Sequence, residues 1–118
     1  MIYVDGFVAA VRADRKDDYR AHAARMSGIF FECGALRVVE TWGDDVPDGK
    51  RTDFRRAVQA EDGEVVLFSW IEWPSKEARD AGWKTLMADP RMQQGEAPPF
   101  DGKRMIYGGF APMLDERA

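Results

Sequence analysis

The chain has 118 residues, 45% hydrophobic and 32% charged, with 17 lysines and arginines against 21 aspartates and glutamates for a formal charge of −4. That length fits one domain able to bury its own core, and the mildly acidic balance lacks the electrostatic footprint of a nucleic-acid binder. One cysteine and one histidine exclude a disulfide framework and a Cys/His zinc site within a chain, and no metal or other cofactor is expected.

Residues 1–11 are nearly all apolar and predict a strand, with Ile2, Val4, Val8 and Ala10 on one face and Tyr3, Asp5, Phe7 and Ala9 on the other. Asp14 is placed to cap a helix in which Tyr19, Ala23, Met26, Phe30 and Cys33 recur at helical spacing. His22 and Ile29 widen that stripe, and Gly34 supplies the stop. Residues 35–42 predict a second strand, and 43–53 a polar connection with a Pro47-Asp48-Gly49 turn. Residues 57–60, a turn at Asp62-Gly63 and residues 65–73 read as a hairpin, whose second arm is apolar on both faces like a central strand. Ser75 caps a second helix that ends near Asp89-Pro90. Residues 91–102 show no periodicity, and a last strand spans 104–113, where Gly108-Gly109 marks a bulge or a close strand approach. This order predicts an α+β fold: a ferredoxin-like split βαβ sandwich, one domain over 1–118, with two helices on one face of an antiparallel sheet.

Two helices cover one face of such a sheet, yet its strands are apolar on both. The aliphatic set Val4, Val8, Leu67 and Ile71 suits the helix side, which leaves Tyr3, Phe7, Phe68 and Trp70 as a patch that a lone chain would expose. A second copy packing sheet on sheet covers it, so a homodimer through the sheet face is expected. The alternative is that residues 44–56 or 91–102 fold over the patch. Gly82 in the second helix implies close backbone packing, and Trp83 either receives the following loop or serves a subunit contact. No apolar run reaches the roughly 18 residues of a membrane span, and the first residues lack a signal peptide's layout. No membrane partner is expected, and the cytoplasm is the expected location.

The opening Tyr3-Val4-Asp5-Gly6-Phe7-Val8, the central Phe68-Ser69-Trp70-Ile71, Met87-Ala88-Asp89-Pro90-Arg91 and the closing Pro99-Phe100-Asp101-Gly102-Lys103-Arg104-Met105-Ile106-Tyr107-Gly108-Gly109-Phe110 together resemble the YbaA-like bacterial family. The resemblance covers nearly the whole chain in order. It implies a dimeric α/β barrel, in which two ferredoxin-like subunits face each other through their sheets, and it names no reaction. Relatives of that fold include cofactor-free monooxygenases, haem-degrading enzymes and isomerases. The quinone-forming monooxygenases among them use an Asn/Trp/His set, whereas this chain contains no asparagine, so their mechanism does not transfer.

The residues favour binding, with or without transformation, of a small aromatic or carbonyl-bearing molecule. Asp5 and His22 are the candidate acid/base groups: a carboxylate among aromatic rings is desolvated toward a useful pKa, and histidine titrates near neutrality. Tyr3, Phe7, Trp70, Glu72 and Tyr107 are the candidate substrate-binding residues, the rings for stacking and the polar tips for orientation. Each has a plainer explanation: a structural hydrogen bond beside Gly6 for Asp5, a solvated strand end for Glu72, and a bond to Asp18 or solvent for His22. Cys33 at a helix's negative end is a poor nucleophile. A non-catalytic regulatory or protein-interaction module is the alternative. RNA binding is disfavoured, because the one basic cluster, Lys50, Arg51, Arg55 and Arg56, lies among Asp44, Asp45, Asp48 and Asp53.

Overall fold

A computed structural model of the chain describes residues 1–92 and 97–118. Its sheet is built from β1 (Tyr3–Arg12), β2 (Arg37–Glu40), β3 (Glu64–Trp73) and β4 (Ile106–Phe110) in the order β2-β3-β1-β4. All neighbouring strands run antiparallel. Helices α1 (Lys16–Glu32) and α3 (Lys76–Met87) follow β1 and β3, as the split βαβ pattern requires, and a one-turn helix α2 (Phe54–Ala57) precedes β3. The doubly apolar run within 65–71 lies inside β3, flanked by β1 and β2. The fold is the expected α+β ferredoxin-like sandwich.

Local signals set most element ends. Gly34 ends α1 at φ +109°, a conformation that suits glycine, and the Ser75 hydroxyl accepts from Ala78 N at 3.0 Å to start α3. Asp14 does not cap α1. It lies in a 3₁₀ turn (Ala13–Arg15) and accepts from the Arg12 guanidinium at 3.1 and 3.2 Å instead. Residues 57–60 are not a strand either. The Asp53 carboxylate accepts from Arg56 N at 2.7 Å and starts α2, and the chain then turns through Gln59 at φ 51°. Four residues of weak alternation lose to a strong side-chain cap. β2 and β4 are shorter than the expected 35–42 and 104–113, and Gly108-Gly109 lies in regular pairing with Gly6 and Asp5 rather than in a bulge. The aperiodic stretch 91–102 is irregular where described after a 3₁₀ turn at Pro90–Met92, and its residues 93–96 lie outside the described residues.

The register corrects the expected sorting of the two faces. Asp5 stands opposite Ile71, Phe7 opposite Ser69 and Ala9 opposite Leu67, so Tyr3 and Phe7 share the helix-covered face with Leu67 and Ile71. Val4 and Val8 lie on the other face with Phe68 and Trp70. Side-chain size carries no register information, and a slip of one residue exchanges every side chain between faces. Val58, 1% exposed, packs on Val8, Ala10 and Val66 and covers one end of that second face. The rest stays open: Phe54, Phe68, Ile106 and Phe110 are all exposed.

Gly82 lets α3 approach β3 closely. A Cβ there would lie 2.5 Å from the ring of Trp73, which is fully buried, and 2.8 Å from the Cys33 carbonyl oxygen. Gly82→Ala should therefore destabilise the fold by about 2 kcal/mol, overpacking outweighing alanine's helix propensity. Urea denaturation checks it, and an unchanged midpoint would show that α3 shifts freely.

Candidate functional site

On the helix-covered face, three elements bring polar groups together inside an apolar wall. Tyr19 is the first buried position of α1, Glu40 ends β2 and Ser69 stands opposite Glu40 in β3. The Tyr19 hydroxyl donates to Glu40 Oε1 at 2.7 Å. Burial pushes the Glu40 carboxyl up from its ordinary value, while hydrogen bonds from Tyr19 and Ser69 hold it back. Burial, then the Glu40 charge, raises the Tyr19 phenol, so the phenol keeps its proton. These groups open onto a cavity of about 300 Å³, walled by Phe7, Met26, Phe30, Leu67, Phe100 and Met105 among others. That is the small end of the range for ligand pockets, in the form such pockets take: apolar walls with a few convergent polar groups.

His22 lines the same cavity one helical turn from Tyr19. Its ring is edge-on to Phe100 at 6.0 Å, and its Nδ1 lies 3.5 Å from Arg25 Nη2. Asp18 is not its partner, being paired with Arg15 at 3.2 Å. Burial first, then the Arg25 charge, lowers the imidazole below its ordinary 6.5, leaving a neutral ring at pH 7. An NMR titration should place the midpoint below 6.5. The unfolded chain then binds more protons, so the contribution to stability is present above 6.5 and lost as pH falls through the folded midpoint. A midpoint at or above 6.5 would mean that the ring is solvated.

The segment that closes the cavity is anchored by a fork. Arg104 reaches both Glu64 oxygens, at 2.7 and 2.8 Å, and its hydrogen bonds hold the Glu64 carboxyl down to about 2 from the usual 4.5. The folded value is depressed, so this stabilisation is full above 4.5 and drains away as pH falls toward about 2. Denaturation at stepped pH should show that loss in the wild type, and a smaller one in Arg104→Met.

The other residues singled out from the sequence divide between the helix side and the open face. Asp5 is buried on the helix side and accepts from Trp73 Nε1 at 2.9 Å, Trp83 Nε1 at 2.8 Å and Arg79 Nη2 at 2.8 Å, with Arg79 Nε at 3.1 Å. Trp83 thus turns inward onto Asp5 and Phe30 (ring centroids 5.4 Å apart), rather than toward a subunit contact. Arg79 also lies over the Tyr3 ring at 5.3 Å, which places Tyr3 in this network. Glu72 and Trp70 lie on the opposite face, where Trp70 Nε1 donates to Glu72 at 2.9 Å and Arg37 pairs with it at 3.3 Å. Tyr107 is 73% exposed on the edge strand and lines, with Phe7 and Trp70, a hollow of the open face. Of the expected set, Phe7 and His22 alone line the cavity. Glu40 went unnoticed as a site residue, although a carboxylate at the inward parity of Val38 in an apolar strand was a visible signal. Cys33 has its thiol pushed up, burial contributing most. Among the described residues no carboxylate, His and Cys group is arranged to hold a metal, and no helix is long and apolar enough to cross a membrane.

The chain matches known sequences over most of its length. A family model described as a protein of unknown function, DUF1428, matches residues 2–102. The chain belongs to that family. It is 64% identical over 117 residues to the uncharacterized protein YbaA of Escherichia coli (strain K12), covering 98% of this chain and 100% of YbaA. The same figures hold for YbaA of Shigella flexneri. These matches bear out the YbaA-like resemblance of the sequence. Among solved structures, a putative antibiotic biosynthesis monooxygenase from Bacillus cereus aligns with a TM-score of 0.55 at 14% identity, over 99% of this chain and 98% of its own. That similarity is one of fold.

Proposed function

We propose that this DUF1428 chain binds a small, mainly apolar molecule bearing a ring or a carbonyl group in the cavity between α1 and the sheet. Glu40 and His22 are the groups available there for proton transfer. The observation that carries the proposal is the part-buried Tyr19–Glu40 pair opening onto a mainly apolar cavity of about 300 Å³. A carboxyl raised by burial and a lowered imidazole bring an acid and a base closer together in pKa, the arrangement acid/base chemistry uses. The name of the Bacillus cereus protein supports small-molecule work on this scaffold by analogy of fold alone. Asp5, its oxygens engaged by three side chains, is assigned to holding α3 on the sheet rather than to catalysis.

Ligand-observed NMR with acetophenone and phenol tests this. Saturable binding is expected, and Met26→Trp, which fills the cavity, should abolish it while circular dichroism stays native. Tyr19→Phe should keep the shape and raise the Glu40 pKa further, since the donor that favours its charged form is gone. Absence of saturable binding, or binding indifferent to Met26→Trp, would overturn the assignment.

We also propose that a second copy of the chain covers the open sheet face. An apolar hollow there is lined by Val4, Phe68, Trp70, Ile106 and Phe110, and exposed apolar side chains continue past the edge strand into Met113 and Leu114. A two-fold arrangement matches this patch against itself.

A further inference from the structure

The mouth of the cavity carries arginines, whereas its interior holds, among the described residues, a single carboxyl, that of Glu40. His22, Arg25 and Arg91 line both the cavity and a wide groove outside it that also takes in Arg15, Asp18 and Glu32. Most of these charges are already matched. Arg15 pairs with Asp18 at 3.2 Å, and Arg91 pairs with Glu32 at 2.6 Å and Asp89 at 2.7 Å. Arg25 is the exception: among the described residues it pairs with no carboxylate, and its Nη2 lies 3.5 Å from Nδ1 of the neutral His22 ring.

We propose that Arg25 receives a carboxylate, so that the ligand is a small ring-bearing or aliphatic carboxylic acid whose apolar body enters the cavity. The inference rests on the cavity being the binding site, and it adds the ligand's charge and the residue that reads it. The chemistry is that of a planar guanidinium, which offers parallel N–H donors matched to the two oxygens of a carboxylate. Placement at the mouth keeps the acid group near solvent while the body is desolvated, so no isolated charge is buried. An anion beside Arg25 also offsets the positive charge that helps to lower His22, so its imidazole midpoint rises on binding.

The experiment compares phenylacetate with phenylacetamide, which share shape and differ in charge, on the wild type and on Arg25→Gln, with acetophenone as the reference. Phenylacetate is expected to bind at least about fivefold more tightly than the amide, and Arg25→Gln should remove that preference while leaving acetophenone binding in place. The His22 midpoint should move up with phenylacetate and stay put with phenylacetamide. Equal affinities for acid and amide, or a preference that survives Arg25→Gln, would overturn the carboxylate assignment alone. Failure of acetophenone, phenylacetate and phenylacetamide alike to bind would overturn the cavity reading, and this inference with it.

Discussion

Asp5→Ala should cost the fold about 3–5 kcal/mol, the usual effect of removing one partner from a buried ion pair. In a chain of this length that is a fall in melting temperature of roughly 10–25 °C. The carboxylate's side chain is 4% exposed and Arg79's 25%, so solvent screening gives little relief. Truncation leaves the Arg79 guanidinium and two indole N–H groups, those of Trp73 and Trp83, facing a hole. Asp5→Asn tests how specific the demand is: one carbonyl oxygen replaces two, and the amide N–H₂ meets groups that are all donors. It should destabilise nearly as much as alanine. Asp5→Leu with Arg79→Met removes both charges and should recover part of the loss, the two indoles still lacking an acceptor. Urea denaturation followed by circular dichroism reads all three. A midpoint for Asp5→Ala within about 1 kcal/mol of wild type would mean that water replaces the carboxylate and that Asp5 does not pin α3 to the sheet.

Much of this fold was written in the chain because the signals are local. The stop at Gly34, the cap at Ser75, the 3.6-residue stripe of α1 and the small residue at position 82 each act within a few residues, and each is where the sequence implies. What failed was non-local. Whether Phe7 stands beside Phe68 or one pleat away depends on how β1 slides against β3, and nothing in either strand alone sets that. Once Phe7 is opposite Ser69, Tyr3 and Asp5 of the expected cleft turn to the helix side, while Trp70 and Tyr107 meet at a hollow of the open face that Phe7 also borders. The same slide made the real cavity hard to see, since its polar heart joins residues 19, 40 and 69 from three elements. Asp5 shows a related limit. A carboxylate among aromatic residues is equally consistent with an acid/base group and with a hub for indole N–H donors, and only the positions of Trp73, Trp83 and Arg79 separate the two.

The open face yields the second large effect. Light scattering of the wild type should return twice the 13.4 kDa of one chain, and Phe68→Glu should return the mass of one. Phe68 is 45% exposed and sits between Phe54 and Trp70, with ring centroids 6.3 and 5.9 Å away. Covering a ring of this kind is worth about 1.5–3 kcal/mol, and a two-fold interface counts each position twice. Losing both copies weakens association by roughly 10² to 10⁴-fold before the new charges repel one another across the axis. The folded chain should tolerate the change, because a glutamate at an exposed position is solvated in the separated subunit and α2 already shields the Val66 end through Val58. Acetophenone binding supplies the internal control. The cavity lies on the helix side of the sheet and Phe68 on the other, so a single-chain Phe68→Glu that still binds would assign self-association and ligand binding to separate faces. A wild type that runs as one chain at every working concentration would instead mean that the exposed rings serve no second copy.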